Sequence, residues 1–129
     1  MEIIRRAEVT SLVNGGVTSE QLLFPENSQS QRVTITRVTV APGARSPRHA
    51  HATSEQIWVA LRGNGVLLLA NETTALFDEG DVVRFADGDI HGIDNAGLDE
   101  FVYLSVTSPP INFRAAYARD WSASSNNAA

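Results

Sequence analysis

Apolar and polar positions alternate along this chain in short runs, and no apolar period of 3.6 residues is sustained over a helical length before residue 110. Runs rich in β-branched and aromatic residues predict strands over Val17–Phe24, Arg32–Val40, Pro47–His51, Gln56–Arg62, Val66–Ala70, Thr73–Phe77, Asp81–Phe85, Ile90–Asn95 and Phe101–Thr107. The segments between them carry turn chemistry: Ala41-Pro42-Gly43, Gly63-Asn64-Gly65, Asn71-Glu72, Asp78-Glu79-Gly80, Ala86-Asp87-Gly88 and Asn95-Ala96-Gly97. Short strands punctuated in this way predict an all-β sandwich or barrel, an architecture that leaves no long bare sheet edge. Past Ser108-Pro109-Pro110 the pattern predicts a short helix over Asn112–Trp121, or an arm laid across the barrel. The closing Ser122–Ala129 (SASSNNAA) is expected to be a disordered tail. No composition break marks a second domain, so residues 1–121 are expected to form one.

Composition narrows the chemistry. At 129 residues and 43% hydrophobic, the chain can bury a core without covalent staples. It has no Cys, which excludes disulfides, thiolate nucleophiles and zinc-thiolate sites, and no Lys, which excludes Schiff-base chemistry. Ten Arg stand against 15 acidic residues, for a net charge of −5. The arginines are scattered, so no basic stripe is present to release counterions from a nucleic acid or an anionic membrane. Apolar runs such as Val66–Ala70 are far short of a membrane span, and the opening MEIIRRAEVT puts charges where a signal peptide needs apolar residues. The expectation is a soluble, cytoplasmic protein acting on a small molecule.

The histidines carry the candidate chemistry. His49 and His51 stand two apart in a predicted strand, which points both imidazoles to one face. The third, His91, lies in another predicted strand that a barrel would bring opposite the pair. An isolated histidine is ordinarily a surface residue or a hydrogen-bonded core residue, so the pair alone does not define a metal site.

The flanks of these histidines resemble the two signature motifs of the cupin superfamily. GARSPRHAHATSEQIWVALRG matches the first through Gly43, His49, His51, then Glu55 or Gln56, then Gly63. GDVVRFADGDIHGIDN matches the second through Gly80, Gly88, His91 and Asn95, with Ala86 where the family usually has Pro. Every histidine in the chain falls on a motif histidine. The resemblance implies a single-domain jelly-roll barrel, or double-stranded β-helix, holding one divalent metal ion on His49, His51, His91 and a fourth residue. Gly43, Gly63, Gly80 and Gly88 are expected at strand-connecting turns that need positive φ or close backbone approach.

Glu55 and Gln56 compete for the fourth place, since strand neighbours face opposite ways. Motif spacing favours Gln56, which six residues separate from Gly63. Alternation argues for Glu55, because Gln56 inward brings Trp58, Ala60 and Arg62 with it while Ile57, Val59 and Leu61 turn outward. Gln56 is preferred, because in cupins a partner subunit often covers the outer face of this strand. Three neutral imidazoles and an amide would leave the full charge of the ion on the site, which favours Lewis-acid chemistry such as isomerisation, cyclisation or elimination. A carboxylate from Glu55 would suit a dioxygenase better. Nitrogen and oxygen ligands without sulfur permit Zn, Mn, Fe, Ni or Cu.

The family alignment also implies that Asp89, Ile93 and Asn95 face inward with His91, and that Phe101, Tyr103 and Ser105 face inward along the last strand. Trp58, Ile93, Phe101 and Ser105 are the expected pocket wall, with Tyr103 as a proton donor or acceptor. Arg37 and Arg48 are candidates for a substrate carboxylate, each with the alternative of a solvated or subunit-contact role. LSVTSPPINF resembles the end of cupins that cyclise unsaturated uronates, but Ser105 and Ile111 stand where that branch has an acidic residue and an Arg. The architecture and metal set are therefore implied and that substrate is not. A non-catalytic ligand-binding or sensing cupin is the competing class. Such a protein is typically joined to an effector module, which favours an enzyme here. A homodimer is expected, with the N-terminal strands and the last arm covering apolar faces such as Ile57, Val59 and Leu61.

Overall fold

A computed structural model describes residues 1–121. Ten strands run in chain order: β1 (Thr10–Asn14), β2 (Val17–Leu23), β3 (Thr34–Val40), β4 (Arg45–His49), β5 (Glu55–Arg62), β6 (Asn64–Leu69), β7 (Thr74–Asp78), β8 (Val82–Phe85), β9 (His91–Asp94) and β10 (Phe101–Ser108). One turn of helix, α1 (Arg114–Tyr117), follows. The strands form a six-stranded sheet in the order β1-β2-β3-β10-β5-β8 and a four-stranded sheet in the order β4-β9-β6-β7. All pairings are antiparallel. The result is the all-β jelly roll that the strand pattern and the motifs predict. The predicted tail, Ser122–Ala129, lies outside the described residues.

Alternation along the long strands sets what each sheet turns inward. Burial alternates residue by residue in β3 and β10, as a strand with one face on a core requires. Strand register then lines the inward residues into rows across the six-stranded sheet. One row is Val17, Val40 and Phe101; the next is Ser19, Val38, Tyr103 and Ala60. Beyond these come Gln21, Thr36, Ser105 and Trp58, then Thr34, Thr107, Gln56 and Phe85. The inner face thus grades from apolar to polar. At the apolar end Phe101 packs against Phe77, ring centroids 5.8 Å apart, with Ile93 and Leu67 in the same core.

Several strand ends shift by up to two residues and the helix is shorter than the predicted Asn112–Trp121, but two differences bear on the edge and the site. β1 falls outside the predicted strands because it has only Leu12 and Val13 as apolar residues and is a largely exposed edge strand. Its signal was Asn14-Gly15-Gly16: both glycines have positive φ (53° and 87°) and close a two-residue hairpin onto Val17. β4 begins and ends two residues earlier than predicted, so His51 lies just past the strand. Its pairing with β9 slips between Ser46 and His49. The slip spans Pro47, which has no N–H to give to the ladder.

Gly43, Gly63, Gly80 and Gly88 take positive φ of 80°, 82°, 92° and 81° at the turns expected of them. Gly92, by contrast, is required for close approach: a Cβ there would meet Ser46 O at 2.7 Å and the Pro47 carbonyl at 3.0 Å. That contact is between backbones, so it has little room to relax. Gly92→Ala is expected to destabilise the fold by about 1–3 kcal/mol, the usual cost of overpacking. A thermal melt indistinguishable from wild type would contradict this reading of the β4–β9 contact.

Candidate metal centre

The two sheets bring the polar end of the large one against a histidine cluster on the small one. His49 ends β4, and His91, its register partner, opens β9. His51, on the loop after β4, turns back to them. The ring centroids of His49, His51 and His91 lie 4.4 to 5.2 Å apart, and one ligand atom from each falls within 4.8 Å of the others. Strand period predicted that His49 and His51 share a face; the structure joins them through a slipped register and a loop instead.

Hydrogen bonds set the tautomers of two rings. His49 Nδ1 lies 2.8 Å from Pro47 O and His91 Nδ1 lies 2.8 Å from Asp89 O. A carbonyl only accepts, so each Nδ1 carries the proton and each Nε2 keeps its lone pair. The Nε2 atoms of His51 and His91 are buried without a hydrogen-bond partner among the described residues. Such orphaned acceptors are costly unless something occupies them, and converging imidazole nitrogens are the donor set of a divalent metal. The residues present therefore fit a metal ion. Aromatic rings hold the cluster: Phe85 stacks on His91 at 4.3 Å and 13°, Trp58 meets it edge-on at 5.5 Å, and Phe113 meets His51 edge-on at 5.9 Å.

Alternation settles which way Glu55 and Gln56 face. Gln56 is 4% exposed and inward, with Trp58 and Ala60 beside it, whereas Glu55 points outward to an ion pair with Arg84 at 2.7 Å. Trp58 Nε1 donates to Gln56 Oε1 at 3.2 Å, and Gln56 Nε2 donates to Thr107 Oγ1 at 2.9 Å. An indole N–H can only donate, so it fixes the amide oxygen on its own side and leaves that oxygen a second lone pair.

The cluster opens into a cavity of about 570 Å³. Trp58, Ser105 and Tyr103 line it, as expected. Ile93 and Phe101 do not: both are fully buried in the core beneath. Asp89 is exposed and caps a turn by accepting from Ala86 N. Asn95 is inward but staples loops, donating to Val40 O and Asp99 O. Arg37 is paired with Glu20 outside the barrel, and Arg48 donates to the carbonyls of Leu69 and Thr73. Thr107 was missed because the predicted inward set on its strand stopped at Ser105, one alternation short. The arm after β10 was foreseen without its role: Phe113, Tyr117 and Trp121, spaced four apart, lay it over its own cavity.

Residues 36–107 match a family model described as a cupin domain, which is more than half of the chain, so the chain belongs to the cupin family. It is 27% identical over 99 residues to an uncharacterized protein of Methanocaldococcus jannaschii, covering 77% of this chain and 78% of that one. The fold is similar to that of the polyketide cyclase RemF from Streptomyces resistomycificus, with TM-score 0.72 and 22% identity over 84% of this chain and 79% of that one. A predicted oxalate decarboxylase from Thermotoga maritima is similar at TM-score 0.72 and 24% identity, over 84% of this chain and 99% of the other. No helix among the described residues is long and apolar enough to cross a membrane.

Burial disfavours charge throughout the site. Desolvation, with repulsion from His49, takes the His51 pKa down to about 4 and that of His91 to about 3; burial also lowers His49. Burial raises the Tyr103 phenol well above its ordinary value, so Tyr103 keeps its proton at neutral pH. In metal-free protein the unfolded chain takes up protons on these histidines below pH 6.5 while the folded chain does not. Stability should therefore fall as pH drops below 6.5 and continue falling toward about pH 4 and then 3. Urea unfolding between pH 7 and 5 in the presence of a chelator checks this. The slope should shrink in His51→Asn and His91→Asn; a slope unchanged in both would contradict it.

Proposed function

We propose that this cupin is a metal-dependent enzyme in which His49, His51, His91 and Gln56 hold one divalent transition-metal ion. Its substrate is a small polar organic molecule, and its reaction an isomerisation, cyclisation or elimination. The observation that carries this reading is the pair of buried, unpartnered Nε2 atoms of His51 and His91, converging with His49 beside a cavity of substrate size. A bound ion would supply Lewis-acid polarisation of a carbonyl, enol or hydroxyl group.

The chain's own residues frame that chemistry. Pro47 O and Asp89 O hold two imidazoles in the tautomer that turns a lone pair inward. Thr107 and Trp58 hold the Gln56 amide with its oxygen on the indole side. Glu55, the carboxylate that would favour a dioxygenase, is outside the barrel with Arg84. Tyr103 lines the cavity as a neutral phenol and is suited to donate a hydrogen bond from its Oη to the substrate. Trp58 stacks on Tyr103 at 4.3 Å and 29°, which fixes the ring that carries this hydroxyl. Phe113, Tyr117 and Trp121 of the arm give the cavity an apolar wall opposite the sheet.

The outer face of the large sheet favours a second copy of the chain as partner. Ile35, Val106 and Ile57 form one outward row, and Leu104 and Val59 stand in the next, between the ion pairs Arg37–Glu20 and Arg84–Glu55. An apolar centre with a charged rim is the anatomy of a protein interface. Sedimentation at micromolar concentration should give a homodimer, and a monomer would contradict it.

Substitution separates the two adjacent ligand candidates. Gln56→Ala should weaken metal affinity by more than the 10–100-fold typical of changes to residues that only support a ligand, and Glu55→Ala should leave it nearly unchanged. Metal competition with a chromogenic chelator measures both. Loss on Glu55→Ala with none on Gln56→Ala would overturn the ligand set. Oxygen uptake with a substrate panel tests the reaction class: turnover without oxygen consumption is expected, and stoichiometric consumption would make the protein an oxygenase.

A further inference from the structure

Of the ten arginines, Arg5, Arg6 and Arg32 do not line the cavity, and the other seven are used in different ways. Arg37, Arg45, Arg62, Arg84 and Arg114 form ion pairs with Glu20, Asp94, Glu100, Glu55 and Glu26. Arg48 commits its donors to main-chain carbonyls. Arg119 lines the cavity beside His49 and His51, is exposed, and takes part in none of the ion pairs among the described residues.

Its place is fixed through the main chain. Asn14 Nδ2, at the end of β1, donates to Tyr117 O at 3.0 Å and to Arg119 O at 2.7 Å. Trp121 Nε1 donates to Ala116 O at 3.0 Å, and its ring lies 4.8 Å from that of Tyr117. The edge strand and the arm therefore lock each other and hold Arg119 at the rim without using its guanidinium. The charge reaches the cluster, where it is one of the influences that lower the His49 pKa. Asp120 lines the same rim and is engaged with another group. Inside the rim, the hydroxyl groups of Ser19, Thr36 and Ser105 line the wall together with Trp58 and Tyr103.

A guanidinium with no carboxylate of its own, at the rim of a partly apolar cavity, is a receptor for an acid group, which it can take through two parallel N–H···O bonds. We propose, resting on the reading of this cavity as the substrate site, that Arg119 binds the carboxylate of the substrate. The substrate is then a small organic acid whose other end reaches the histidine cluster.

Calorimetric titration with acetate, succinate and benzoate, each against its neutral amide, tests this on the full chain, as purified and after zinc addition. At least one acid should bind wild type about tenfold or more tighter than its amide, the usual strength of a charge-assisted hydrogen bond. Arg119→Ala should lose that preference and Arg119→Lys should retain part of it, with the melting temperature unchanged because Asn14 contacts only the backbone here. An acid preference that survives Arg119→Ala, equal binding of acid and amide, or no binding of any acid would overturn the proposal. If the surviving preference vanishes when zinc is removed, the metal is the anion receptor, and the metal-enzyme reading stands while this one fails. If zinc does not bind but the Arg119-dependent preference remains, the reverse holds.

Discussion

Three imidazoles are packed with ring centroids about 5 Å apart between two sheets, in surroundings too dry to let them charge. Neutrality at this point constrains the rest of the structure, because an imidazolium here would face two neighbours of its own kind and almost no water. The fold meets the constraint by giving Nδ1 of His49 and His91 a carbonyl each, which turns their Nε2 lone pairs inward. It packs His91 between Phe85, Trp58 and the other histidines, which withdraws that ring from the surface. What remains is a set of neutral nitrogen donors whose natural complement is a cation.

The barrel is graded so that this site does not weaken the core. Phe101, Phe77, Ile93 and Leu67 supply the apolar packing at one end, where the buried amide of Asn95 is satisfied by main-chain partners. Along β10 the inward residues run Phe101, Tyr103, Ser105, Thr107, from apolar ring to hydroxyl, and the neighbouring strands follow the same trend through register. Gln56 sits where the gradient ends, held by one neighbour from its own strand and one from the next. The arm then closes the polar end.

Much of this was legible in the chain because alternation and motif spacing are local signals. The inward set of β10 followed from the resemblance to cupins, and the glycine turns from turn chemistry. At Glu55 and Gln56 the two signals conflicted, since alternation would have buried Ile57, Val59 and Leu61. Motif spacing named the residue that turns inward, and the apolar side chains beside Glu55 belong to an outer face that is itself apolar. What was not read had separate causes. β1 has little apolar composition of its own and was signalled only by the Asn14-Gly15-Gly16 turn onto β2. Asp89 shares the parity of His91 but lies before the strand begins, where alternation has no force. Ile93 and Phe101 face inward as expected, yet only the depth of the core decides that they miss the cavity.

The central claim is that this dry histidine cluster exists to hold a metal ion. Elemental analysis of protein purified without an affinity tag or chelator tests it most directly. The account predicts one divalent transition-metal ion per chain, lost in His51→Ala and His91→Ala. Protein that is folded, free of metal as isolated, and unable to take up added zinc, manganese, iron, nickel or copper would contradict it.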